Sequence, residues 1–570
     1  MRLGKWVGVA VQLLLLVGCG AGQSGQGGGG LPVFPSRARL DAIAQSTLLG
    51  TGGKEQPTVS VDSWDMAVAP AAPSPENDLL QGSSQGRRLR ATPELTCAAR
   101  EIGRFFATKG GMPDQQLQDH LLGQCGDAHP GHSLEFWTFD QASGASDQAL
   151  LEQLRGDVAK FSASLADHPY DGGAALVRAN DKAVFAAVVA RRYVELAPLS
   201  NVSPDGTVVI TGTLYDKVAA VHGLLTSGAH AVAPCTFDRS LRLPQFRMTC
   251  KMADGDASAW IDLQLLEPER VLSRSVLRVL ARRTPEPQPF SVPPSDPSAV
   301  PTDPQSFRMN LLGVINRLRA EAGMAELRLE DRQSQQHQKL APYFFNSAAR
   351  DSGYLDDIAL GLMAGWDVQG TIRDGSFYGV ALSGTLSAER WLGHLLEYPG
   401  ARSLIFDPDA RAVAIGPMLD PHTSSLGALL STYSFFESPD HSAERKRLIE
   451  MIAQARALAH SSPASAREEP SLKSAASQVF QGADTGAALQ QAMEAIGRRD
   501  HAQVQGMLFE TLSLDSVQIP NELIRASSLT YALEVTHVRH PDSAWGNLVV
   551  LIVISRPGTT SAGAGAPARG

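Results

Sequence analysis

Two stretches of this 570-residue chain read as unsuited to a packed core, and they set the expectation for how the rest folds. The tract from Gly20 to about Ala91 is rich in Gly, Ser and Pro and opens with Gly20-Ala-Gly-Gln-Ser-Gly-Gln-Gly-Gly-Gly-Gly30. Between Thr284 and Pro304 stand Pro285, Pro287, Pro289, Pro293, Pro294, Pro297, Pro301 and Pro304. The first tract has too little apolar surface to offset its ordering entropy, so 20–92 reads as a disordered tether. The second has φ fixed every few residues, so 284–304 reads as a semi-rigid, proline-rich linker. The remaining residues must then fold as separate bodies, which a length well beyond one core also requires.

The first body spans 93–198 and reads as a small α+β unit. Helices are expected over Leu95–Thr108, Asp114–Gly123 and Asp147–Leu165, followed by Ala174–Arg178 and Lys182–Ala190, which flank Asn180-Asp181 as a hairpin. From 199 to 283 the pattern changes to short alternating strands, Thr207–Leu214, Phe246–Met252, Ala259–Leu265 and Val276–Leu280. Several such strands in so short a span predict an immunoglobulin-like β-sandwich. The last body, 441–558, reads as another small α+β domain. It has a helix at Ser442–His460, a polar link at Ser461–Lys473, a helix at Ala487–Ile496 and strands at Leu529–His537 and Asn547–Ile554. The last strand is apolar throughout but too short to cross a bilayer as a helix. Residues 559–570 read as a disordered tail. The net charge of −9 leaves no basic footprint for nucleic acid.

Met1-Arg2 and Lys5 precede an apolar run from Trp6 to Val17, which has the make-up of an export signal. The run ends in Leu16-Val17-Gly18-Cys19, which resembles the lipobox of bacterial lipoproteins. That resemblance implies a signal peptide and lipobox over 1–19, diacylation of Cys19 and a membrane partner reached through its acyl chains. Gly20 stands where an Asp would resemble an inner-membrane retention signal, so the expected place is the cell envelope, at the outer membrane. The other cysteines are Cys97, Cys125, Cys235 and Cys250. Four cysteines allow three pairings, and near-neighbour couples Cys97–Cys125 and Cys235–Cys250 are the natural one, worth roughly 3–4 kcal/mol each from loop closure. No Cys-x-x-Cys occurs, which speaks against zinc at these thiols. His129-Pro-Gly-His132 reads either as half a metal site or as a solvated turn.

The centre of the chain, 305–440, carries the most specific pattern. Phe307, Leu311, Ile315, Leu318 and Ala322 mark one helical face that ends at Gly323, a C-terminal cap. Leu327-Arg-Leu329 leads to Asp331, expected to cap a helix reaching Phe345. Then come Trp391, Tyr398-Pro-Gly-Ala-Arg402, Leu404-Ile-Phe-Asp-Pro408, Ala414-Ile-Gly416 and Tyr433. This order resembles the CAP superfamily (cysteine-rich secretory, antigen 5 and pathogenesis-related proteins). The resemblance implies a central α-β-α sandwich with a groove, where two His and two acidic residues can hold a divalent metal. With it, the chain as a whole reads as a multidomain α+β protein.

This sequence departs from the family at the metal ligands. Ala401 stands where the family has the His of Ser-Pro-Gly-His, and Ser347 where it has the His after the aromatic pair. Asp356, with Asp357 beside it, aligns with the family Glu. Losing both imidazoles removes what a borderline metal prefers, so no metal and no cofactor is expected there. His337 and His394 are the replacements to weigh, and Trp391 and Arg402 complete the candidate groove. His422 sits in a turn, Ser383 lacks a nucleophile elbow, and Pro342 interrupts the donors of the second helix. The expectation is a non-enzymatic envelope lipoprotein binding a lipid-like or protein ligand. The alternatives are a residual peptidase or cell-wall hydrolase, and a structural spacer.

Overall fold

The computed structural model describes residues 3–8, 15–17, 33–48, 57–67, 74–82, 89–140, 144–165, 168–179, 181–199, 201–268, 270, 272–294, 301, 303–346, 353–384, 387–420, 425–436, 438, 440–514, 517–526 and 530–557. It is a mixed α/β structure with several sheets, divided by packing into two compact units. The first unit takes its residues from 1–18, 35–363 and 376–432, the second from 19–34, 364–375 and 433–570.

In the first unit, Lys182–Arg191 lies in a five-stranded sheet ordered 3–8, 133–139, 182–191, 170–179, 89–91. Its run Lys182-Ala-Val-Phe-Ala-Ala-Val-Val-Ala-Arg191 is apolar at almost every position because both faces are covered. Val184, Ala186 and Val188 pack with Leu95, Ala98 and Ile102 of helix Pro93–Lys109. Phe185, Ala187 and Val189 pack with Leu150, Leu154 and Val158 of helix Asp147–Ser164. The Tyr170–Ala179 and Lys182–Arg191 strands form the expected antiparallel hairpin. Cys97 in the first turns of one helix bonds Cys125 at the end of Gln115–Gln124, as expected.

Next, two antiparallel layers enclose one core. One layer is ordered 194–196, 207–214, 245–251, 236–237, and the other contains 231–234, 220–227, 258–266, 273–282. Val208, Ile210, Phe246 and Met248 of the first meet Leu225, Ile261, Leu263 and Val279 of the second. The Cys235–Cys250 disulfide lies in this core. Short strand Leu15–Val17, which lies within the expected signal peptide, pairs both with Ser273–Arg282 and with Ile372–Ser383 and joins this sheet to that of the central section in the unprocessed chain.

There the sheet runs 372–383, 425–435, 412–420, 328–329. Tyr378, Val380, Leu382, Val413, Ile415, Leu426, Ala428 and Leu430 point to one side. They meet Phe307, Leu311 and Ile315 of helix Pro304–Glu321 and Trp391, Leu392 and Leu395 of helix Ala388–Leu395. Helix Asp331–Phe345 covers the other side so closely that a Cβ on Gly416 would come within 2.3 Å of His337. A Cβ on Gly379 would likewise sit 2.5 Å from the Phe344 ring. The result is helix, sheet, helix. Gly323 has φ +71, the left-handed cap its position predicts. Asp331 is the first helical residue rather than the cap, which is Glu330; that carboxylate is taken by Arg328 at 2.6 Å instead.

In the second unit, strands Ala502–Thr511, Gly546–Pro557, Thr530–Arg539 and Ser465–Arg467 form a sheet. Val550, Ile552 and Ile554 face Leu448 and Ile452 of helix Ser442–Leu458, while Val549, Leu551 and Val553 face Leu472, Val479 and Leu489. A helix at Pro470–Phe480 takes over 470–473, the end of what reads as a polar link, because Leu472, Ala475, Ala476 and Val479 recur at i, i+3, i+4 and i+7 and form one buried stripe.

The tract read as a disordered tether and the one read as a semi-rigid linker both contribute to packed structure. Within 20–92, helices form at Arg37–Ala44 and Pro75–Gly82, where Leu40, Ile43, Leu79 and Leu80 are buried. Ser63–Trp64 pairs with Phe290–Ser291 of the proline-rich tract, and Trp64 and Phe290 share a core with Phe105. A few large apolar residues, spaced far apart, escape a compositional reading but still find a surface to cover.

Candidate functional site

The described residues among those expected to line a groove are each committed to other partners. His337 is fully buried; its Nδ1 donates to the Gln333 carbonyl at 2.8 Å and its Nε2 accepts the Ser431 hydroxyl at 2.7 Å. Burial lowers its pKa to about 4, so the ring is neutral. Asp356 pairs with Arg270 at 2.9 Å and accepts the Leu272 N–H, while Asp357 pairs with Arg39 at 2.8 Å. Trp391 is buried and donates Nε1–H to the Leu426 carbonyl at 2.9 Å. Arg402 donates to the carbonyls of Leu396 and Gly228 at 2.7 and 2.9 Å. Ala401 is packed in the core. Cys19, Ser347 and His422 lie outside the described residues.

His394 is drawn into a different group. Its Nε2 meets Asp119 Oδ2 at 3.0 Å, and the same carboxylate takes the Tyr398 hydroxyl and Arg278 Nη1. Arg278 lies between two rings, 3.9 Å from the Trp260 centroid and 3.8 Å from that of Tyr398, with a cation–π contact on each face. Burial works against the Asp119 charge, but Arg278 and His394 hold the carboxyl well below its ordinary range. Burial raises the pKa of Glu397, 3.8 Å from Arg278 Nη2, and of Tyr398. These groups come from helix Gln115–Gln124, strands Ser258–Leu266 and Ser273–Arg282, helix Ala388–Leu395 and the turn after it, where Glu397 precedes Tyr398, the N-cap of helix Pro399–Ile405. Sequence reading missed the group. Its signal was a lone Arg278 inside the apolar run Val276-Leu-Arg-Val-Leu280, a residue that cannot be buried without partners.

A third group forms where the sequence showed only two histidines. Asp127 receives His129 Nδ1 at 2.7 Å on one oxygen and His132 Nε2 at 2.8 Å on the other. His129 Nε2 faces Asp171 at 3.2 Å, and Asp171 is held by Arg90 and Arg192, each at 2.9 Å. Burial opposes a charge on His129, yet Asp127 and Asp171 outweigh it and raise the pKa to about 9. The Asp127 carboxyl is pulled below its ordinary range despite its burial. Among the described residues, Asp127, His129 and His132 are one group of His and carboxylate donors close enough to share an ion. In the second unit, His441 Nε2 and His537 Nδ1 meet at 2.8 Å, with Phe436 stacked on His537 at 4.5 Å.

No helix among the described residues is long and apolar enough to cross a membrane. No protein-family model and no curated protein matches the chain. Among solved structures, it is similar to an extracellular protein containing an SCP domain from Bacillus anthracis, with 10% identity over 43% of this chain and 86% of that one and a TM-score of 0.19. It is also similar to a cysteine-rich secretory protein from Staphylococcus aureus, with 10% identity over 42% and 86% and a TM-score of 0.17. At TM-scores this low the likeness assigns neither a fold nor an activity.

Proposed function

We propose that this chain is an exported bacterial envelope protein, anchored through lipid on Cys19, whose central section is a CAP-like domain without the family's metal chemistry. Its role is non-enzymatic, presenting that section to a lipid-like or protein ligand. The observation that carries the reading is the state of His337. Sealed in the core and neutral, this imidazole gives its Nδ1–H to a backbone carbonyl and its Nε2 lone pair to the Ser431 hydroxyl, and so presents neither nitrogen to a metal or a substrate. His394 and Asp356 support the same reading, since each is held by partners the other does not share. The helix–sheet–helix order of 304–435 is compatible with the resemblance.

Two measurements on the full chain test this. Wild type should partition into detergent and take up radiolabelled palmitate, and Cys19→Ala should do neither. In peptidase and peptidoglycan-hydrolysis assays, wild type and His337→Gln should both stay at background; turnover that His337→Gln abolishes would overturn the non-enzymatic reading.

A further inference from the structure

We propose that Asp127, His129 and His132 form a binding site for one divalent ion of the zinc class, outside the central section. The donors come from a single turn, Asp127-Ala-His-Pro-Gly-His132, and one ligand atom from each lies within 4.8 Å of the other two. Two imidazoles and a carboxylate are a donor set suited to a borderline metal, with a fourth position left for water.

The turn is held from both sides. Cys125, bonded to Cys97, stands two residues before Asp127, and Gly126 between them has φ +84. The Asp127 N–H donates to the Leu122 carbonyl at 3.0 Å, and the Ala128 carbonyl accepts the Arg278 N–H at 2.9 Å. His129 is oriented by Asp171 at its Nε2, which turns Nδ1 towards the other donors. A carboxylate behind a ligating imidazole is the usual outer support of such sites, and here Arg90 and Arg192 fix the carboxylate in turn. The side chains of Asp127 and His132 are almost sealed, at 2% and 6% exposure, and that of His129 at 17% leaves one side open to solvent. Bonds of about 2.0–2.2 Å place tetrahedral ligands about 3.3–3.5 Å apart. The present N···O separations are 2.7 and 2.8 Å, so a small rotation of the two rings admits the ion, which takes the place of the protons that His129 Nδ1 and His132 Nε2 give to Asp127.

The test is equilibrium dialysis of the purified full chain against zinc chloride, with cobalt(II) absorption as the second readout. Wild type should bind one ion per chain, show tetrahedral cobalt bands and gain thermal stability with zinc. His129→Gln and His132→Gln should each weaken binding at least 100-fold, and Asp171→Asn about 10- to 100-fold through lost orientation. His337→Gln should bind as wild type does. Circular dichroism establishes that each variant is folded, and His132→Gln, which leaves the Asp171–His129 pair untouched, serves if His129→Gln is not. Wild type that binds no zinc, or binds it as well after either histidine is replaced, would reduce the group to a closed hydrogen-bonded cluster and overturn the proposal.

Discussion

His337 shows how one side chain can carry opposite meanings in sequence and in structure. On a helix that ends in paired aromatics it can be weighed as a replacement ligand or as a satisfied or surface histidine; in place it is a core group with both nitrogens satisfied. Its cost appears in acid. An unfolded histidine protonates near 6.5, whereas this one resists until about 4, so the unfolded chain binds the extra proton first. This residue's contribution is therefore complete above pH 6.5 and shrinks as pH falls from there to about 4, by on the order of 3 kcal/mol. Urea unfolding at pH 7 and pH 5 checks it: His337→Gln should lose less stability between the two than wild type, and equal losses would contradict the assignment.

Among elements, the contact between helix Asp331–Phe345 and the central sheet is the tightest in the section. Gly416 allows it, since an added Cβ would lie 2.3 Å from the carbonyl carbon and Cβ of His337, neither of which can rotate away. Gly416→Ala should destabilise the protein by about 2–3 kcal/mol, as overpacking of a rigid contact does, read from the denaturant midpoint. Much at this scale was legible in sequence. The end of helix Asp331–Phe345, the cap at Gly323, a strand over 182–190 and both disulfides follow from period, turn residues and spacing. Helices Arg37–Ala44, Pro75–Gly82 and Pro470–Phe480 were hidden, because each is short and stabilised by a surface far away in sequence.

For the molecule as a whole, the group around Asp119 was illegible for the same reason in stronger form. Arg278 is 159 residues from Asp119, and Tyr398 is 279 residues from it. No local pattern relates such positions; only the assembled unit does. Asp119→Asn leaves Arg278 buried between two rings without its counter-charge, and should cost about 3–5 kcal/mol in a chemical-denaturation experiment. A loss below about 1 kcal/mol would mean that the two rings and Glu397 hold the cation without Asp119. Arg278 also constrains how such a chain can be inherited. Its acid, its two rings and the strand that bears it are encoded in separate stretches. Exchanging the stretch that holds Asp119 or the one that holds Arg278, without the other, would strand a charge in oil, so recombination between them carries a penalty that recombination elsewhere does not.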